Sequence, residues 1–190
     1  ARMSTRGTVR LLSVGAIVPR KGFISLVRAL RPLAHLDWDL VIVGDPTRSI
    51  ETSRELEQVI HEAGLTNRIR MLGTQTIQEL EQHYAASDVF VLASEHEGYG
   101  MAYAEAIAHG LPVIGTRAGA IPETVPQEAG ILVEPGNLDE LTRALETLIT
   151  DLPTRQLLAS GARQIASRLP TWTDATLQFE KVLDRVNRPA

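Results

Sequence analysis

The sequence predicts an α/β domain: a parallel sheet of about six strands, helices on both faces, and a helical carboxy-terminal tail. Three observations carry this. Short apolar runs alternate with amphipathic stretches through most of the chain, and strands alternating with helices build a mostly parallel sheet through right-handed crossovers. The runs are apolar at successive positions, most plainly VFVL at 89–92, as strands covered on both faces should be. Beyond Leu138 only the helical period persists, as far as Asn187, interrupted at Pro153 and Pro170. With 190 residues against roughly 150 per domain, the chain reads as a single domain, its core at about residues 8–135 and its tail at about 138–190.

Each element has its own signal. Residues 8–14 (TVRLLSV) are an apolar run ended by Gly15, a strand. Phe23, Leu26, Val27, Leu30 and Leu33 then recur at helical spacing. A second strand at 40–43 is closed by the turn signal Gly44-Asp45-Pro46. Leu56, Val59, Ile60 and Ala63 mark a second helix, stopped by Gly64. A short strand at 69–72 ends at Gly73, and Leu80, His83, Tyr84 and Ala85 give a third helix. The strand at 89–92 leads through a glycine-containing loop into a helix at 101–108, and strands at 112–115 and 130–133 follow. No internal repeat, low-complexity stretch or linker breaks the pattern.

Composition excludes several functions. The hydrophobic fraction of 44% and charged fraction of 22% are ordinary for a globular domain. A net charge of -4 argues against a sequence-independent grip on nucleic acid or anionic lipid. With no cysteine, disulfides, thiolate metal sites and cysteine nucleophiles are out. Aromatics at 4% are too few for a base-stacking platform. No apolar run is long enough to span a membrane. The amino terminus lacks the apolar stretch of a secretory signal. It opens on Ala1 and runs almost at once into a strand, which reads as a cut piece, with the cytoplasm as the expected compartment.

In such sheets ligands bind where the carboxyl ends of strands pass into helices. Gly98 and Gly100 precede the helix at 101–108, so its free N–H groups and positive dipole end can face an anion; a tight turn needing glycine is the plainer reading. Two carboxylates, Glu97 and Glu105, bracket this turn. A carboxylate beside an anion site suits sugar hydroxyls, above all a vicinal diol, and phosphates between two sugars would want this arrangement. Glu97 also fits a helix-start acid complementing the dipole. Glu105 does not, lying on a mostly apolar helix. Arg20 and Lys21 stand at a helix start, where cations oppose the dipole; they face a diphosphate or are solvated residues on a turn. The five histidines show no H-E-x-x-H spacing, so no metal is expected. There is no P-loop, no G-x-S-x-G elbow, and no dinucleotide fingerprint after the first strand.

Glu97, seven residues and Glu105, within SEHEGYGMAYAEAIAHGLPVI, resemble the E-x7-E signature of retaining glycosyltransferases of family 4 (glycosyl transferases group 1). The PRKG loop, the RIRMLG segment, HYAASDVFVLAS, TRAGAIPETV and AGILVEPGN fall in that family's order, from about Val9 to Trp172. The resemblance implies the carboxy-terminal half of a GT-B enzyme. Such enzymes have two Rossmann-like domains, and this half binds the nucleotide-sugar donor. The amino-terminal acceptor domain would be absent, and with it any acceptor recognition or contact with the inner face of a membrane.

Carried over on the matching residues, Glu97 would contact donor-sugar hydroxyls and Glu105 the ribose diol. Gly15 would open the first loop. Backbone amides of Gly98, Tyr99, Gly100 and Met101 would meet the sugar and phosphates, with Lys21 on the diphosphate. The base would lie against Met71, Leu72, Gly73 and Gln75, with a UDP- or GDP-sugar as donor. Family members usually need no metal or other cofactor. One departure stands out: the family often has Arg where this chain has Ala16, and Arg20 is expected to supply the missing charge. The rival expectations are a sugar-nucleotide epimerase of the same fold and a non-catalytic nucleotide-binding module.

Overall fold

The computed structural model describes residues 7–167. Within them one parallel sheet holds β1 (Val9–Val14), β2 (Trp38–Val43), β3 (Ile69–Met71), β4 (Val89–Val91), β5 (Val113–Thr116) and β6 (Gly130–Val133). Their spatial order is β3-β2-β1-β4-β5-β6. The α-helices among the described residues are α1 (Phe23–Leu30), α2 (Ile50–Glu62), α3 (Ile77–Ala86), α4 (Met101–Ala108), α5 (Ile121–Thr124), α6 (Leu138–Thr150) and α7 (Leu152–Ala166).

β1 sits at the centre. It pairs along its whole length with β2, Val9 opposite Trp38 and Val14 opposite Val43, and on its other side with β4, Leu11 opposite Val89. Right-handed crossovers place α1 and α2, which step from β1 toward β3, on one face. They place α3 and α4, which step the other way, on the opposite face. Packing agrees: α1 lies against α2 and α6, while α4 lies against α5 and α7. The sheet's side chains, Leu12, Leu40, Phe90 and Ile114 among them, are fully buried between these layers in one apolar cluster. Phe90 meets Tyr103 edge-on at 5.6 Å between ring centroids.

The expected strands and helices are present, with shifts that have local causes. The helix expected to reach Leu33 ends at Leu30 and tightens into a single 3-10 turn, Arg31–Leu33, because Pro32 has no N–H to continue it. The second helix begins at Ile50, capped by the Ser49 hydroxyl, and the third at Ile77 behind a capping box of Thr76 and Glu79. The strand expected at 112–115 runs one residue later. α5 has no periodicity to announce it; it starts at Ile121, two residues after Gly119, with Pro122 in its first turn. The helical region divides at Asp151, whose side chain accepts from the Thr154 amide, and Pro153 falls in the first turn of α7, where a missing N–H costs nothing. The rest of the expected tail, from residue 168 onward and including the break at Pro170, lies outside the described residues.

Candidate functional site

β1 and β4 are neighbours, yet the chain leaves them toward opposite faces of the sheet. That reversal opens a crevice at their carboxyl ends. The loops bordering it hold most of the residues singled out above.

After β1 the chain makes a 3-10 turn, Pro19–Lys21, closed by Gly22 at φ 67°. Gly22 is required twice. Its φ is left-handed, and a Cβ there would stand 2.0 Å from the Ala93 carbonyl oxygen. The β1 loop therefore lies directly on the start of the β4 loop, and Arg20 O accepts from the Glu95 amide at 2.8 Å. From the other side, Gly119 at φ 54° would place a Cβ 2.2 Å from Glu97 O. The Ala120 amide donates to that oxygen at 3.0 Å, and Thr124 Oγ1 donates to Tyr99 O at 2.9 Å. Thr116 Oγ1 donates to Ser94 O. The loop of residues 93–100 is thus held between two others before any ligand arrives.

Within this frame the Glu97 carboxylate is nearly buried and fully engaged. Oε1 accepts from Lys21 Nζ and from Ser94 Oγ at 2.8 Å, and Oε2 faces Arg20 Nη1 at 3.5 Å. Arg20 also donates to His96 O at 3.1 Å. Burial pushes the Glu97 carboxyl up, but the hydrogen bonds from Lys21 and Ser94 and the charges of Lys21 and Arg20 outweigh it, holding the group below its ordinary value. Lys21 is no solvated turn residue: only 12% of its side chain is exposed, against 54% for Arg20. Gly15 makes room for it, since a Cβ there would stand 3.2 Å from Lys21 Cε.

Gly100, at φ 76°, starts α4 without a side-chain cap, and its carbonyl accepts from the Tyr103 and Ala104 amides at 3.0 and 3.1 Å, so the Met101 and Ala102 amides have no partner within the helix. Gly98, Tyr99 and Met101 are exposed around that end. Glu105 lies about one turn down α4, exposed, with Oε2 accepting from Tyr84 OH at 3.0 Å. Met71 ends β3, and Leu72, Gly73 and Gln75 follow it on the same rim, three strand spacings (about 14 Å) from β4. Their loop is fixed by the Gly44 amide donating to Gly73 O at 2.9 Å and by Gln75 Nε2 on Leu72 O at 2.9 Å. The structure therefore brings Gly15, Arg20, Lys21, Glu97 and the head of α4 together. It leaves Glu105 and the 71–75 loop apart from them on the same side.

Residues 8–151 match the sequence profile of the family described as Glycosyl transferases group 1. The chain belongs to that family. It is 32% identical over 174 residues to a D-inositol 3-phosphate glycosyltransferase from Corynebacterium diphtheriae, an alignment covering 89% of this chain and 40% of that protein. Among solved structures, Anabaena HepE in complex with UDP-glucose superposes with a TM-score of 0.85 at 29% identity, over 94% of this chain and 49% of that one. The C-terminal domain of a group 1 family protein, LpcC from Francisella tularensis, superposes with a TM-score of 0.77 at 32% identity, over 85% of this chain and 86% of that one. The chain thus spans about two fifths of its curated relative and about half of HepE.

Against this family background, three side chains at the site went unread in the sequence. Ser94 and Tyr84 hold the two glutamates, and they looked like ordinary strand-end and helix residues. Arg48 is the third. At Ala16 a groove of about 560 Å³ opens, lined also by Val18, Pro19, Arg20 and Arg48. Arg48, which faces Asp45 at 3.4 Å, arrives there from the loop after β2, a neighbourhood no spacing reveals. Among the described residues no group of three or more His, Cys, Asp or Glu is arranged for a metal ion. No described helix is long and apolar enough to cross a membrane.

Proposed function

We propose that this chain is the carboxy-terminal, donor-binding half of a retaining family 4 glycosyltransferase with the two-domain GT-B arrangement. It forms one donor domain and works in the cytoplasm. It takes a UDP- or GDP-sugar across the crevice between β1 and β4, and the missing half supplies the acceptor wall. The observation that carries this is the meeting, across the point where the sheet reverses, of Lys21 and Arg20 with Glu97 and the uncapped head of α4. The match to an isolated C-terminal domain of a group 1 protein supports the placement. HepE, solved with UDP-glucose, supports the donor class.

The residues divide the work by charge. Without donor, Glu97 neutralises Lys21. An incoming diphosphate competes for that ammonium and, with Arg20 and the amides of residues 98–101, takes the leaving-group charge as the glycosidic bond of the donor breaks. Glu97, released from part of its pairing, turns an oxygen to the sugar hydroxyls. Glu105 accepts from the ribose diol, and the base rests against Met71, Leu72, Gly73 and Gln75. Preorganised cations and amides do the electrostatic task with no metal.

A thermal-shift panel of UDP, GDP, ADP and their sugars tests this. One base series stabilises the chain, by about 2.7 kcal/mol at a hundredfold excess over Kd, and the purified 190-residue chain transfers no sugar because one wall of the cleft is missing. Silence across the whole panel, or robust transfer by this chain alone, contradicts the reading.

A further inference from the structure

We propose that Tyr84 is a positioning residue that presets the Glu105 carboxylate for the ribose diol, and so ties the base-binding side of the donor site to α4. This rests on the donor-site reading above. Glu105 stands exposed on α4 with a flexible side chain, and among the described residues its carboxylate has one hydrogen-bond partner, the Tyr84 hydroxyl at 3.0 Å. Tyr84 itself cannot wander. It is 2% exposed, its ring stacks on His109 at 4.8 Å with the planes 7° apart, and Phe90 lies 6.2 Å away, centroid to centroid.

His109, the C-cap of α4, stands four residues and one turn after Glu105, so the two present to the same side. Tyr84 enters from α3 and engages both, one through its hydroxyl and one through its ring face. Burial, then the neighbouring Glu105 charge and hydrogen bond, push the phenol far above its ordinary range, so it stays a donor. It occupies Oε2 and leaves Oε1 open for a ligand. Because α3 follows directly on the 71–75 loop, the same clasp fixes that loop's helix against α4. Too buried to reach a nucleotide, the tyrosine acts through Glu105.

The test is a double-mutant cycle on the 190-residue chain, titrated with whichever of UDP, GDP or ADP binds best and with its 2′,3′-dideoxy counterpart. Tyr84→Phe keeps the ring and its stack. It weakens the diphosphate three- to tenfold, leaves the melting temperature within about two degrees, and adds nothing once Glu105→Gln is present, because residues acting as one unit are not additive. With the dideoxy ligand, which has no diol to meet, Tyr84→Phe and wild type bind alike. If Glu105→Gln weakens binding but Tyr84→Phe does not, or if Tyr84→Phe weakens both ligands equally, the positioning role is overturned while the donor reading stands. If Glu105→Gln itself changes nothing, the ribose assignment falls and this inference with it.

Discussion

Lys21 and Glu97 hold each other in a nearly dry corner, and that pairing has a pH signature. Because the folded carboxyl sits below its ordinary value of 4.5, ionised Glu97 stabilises the fold above that pH. The contribution is lost as acid protonates the folded group below it. Glu97→Gln leaves the Lys21 ammonium without its counter-ion, a loss of about 1–3 kcal/mol at neutral pH. Thermal melts from pH 7 to pH 3 therefore show the largest gap between wild type and Glu97→Gln at pH 7, narrowing below about 4.5; a gap that stays constant refutes the pairing's role. At this scale the sequence was half legible. The two glutamates and the basic pair stand out by type and spacing. That Lys21 reaches Glu97 is invisible, because 76 positions separate them and only the sheet brings their loops together. Ser94 gave no signal at all, since a buried serine after a strand is ordinary.

Between elements, the site depends on close backbone approach. Gly119 carries both a left-handed φ and a carbonyl 2.2 Å from where its Cβ would stand. Gly64, ending α2 at φ 70°, has nothing within 4 Å. The comparison separates conformational strain from collision. Gly64→Ala bears only the backbone cost, about 1–2 kcal/mol. Gly119→Ala adds roughly 1–3 kcal/mol of overpacking and pushes on the Glu97 carbonyl, so it also weakens sugar-nucleotide binding. Denaturant melts and calorimetry on the two variants check this, and equal stability losses with unchanged binding contradict the clamp. Strands and long helices were legible because apolar runs and helical periods are local. The early end at Leu30 follows from Pro32 and was also legible in principle. α5 was not, because four residues carry no period; the Gly119 contact that seats it is tertiary.

Across the whole molecule, the order β3-β2-β1-β4-β5-β6 places the proposed donor contacts on one side, from Gln75 past β2 and β1 to the head of α4, with Glu105 one turn further along that helix. Alternation alone implied a parallel sheet. The reversal between β1 and β4 had to come from the structure, since a strand's neighbours are set by crossover direction rather than by its own residues. Under the proposed function this rim binds a nucleotide through its diphosphate, with Lys21 as the principal cation. Calorimetric titration of wild type and Lys21→Ala with the nucleoside, monophosphate and diphosphate of the preferred base tests it most directly. Wild type tightens with each added phosphate, while Lys21→Ala binds the nucleoside unchanged and loses about ten- to a hundredfold on the diphosphate, the worth of one charged hydrogen bond at about 1.5–3 kcal/mol. Equal loss on nucleoside and diphosphate, or no loss on either, places the phosphates elsewhere and contradicts the account.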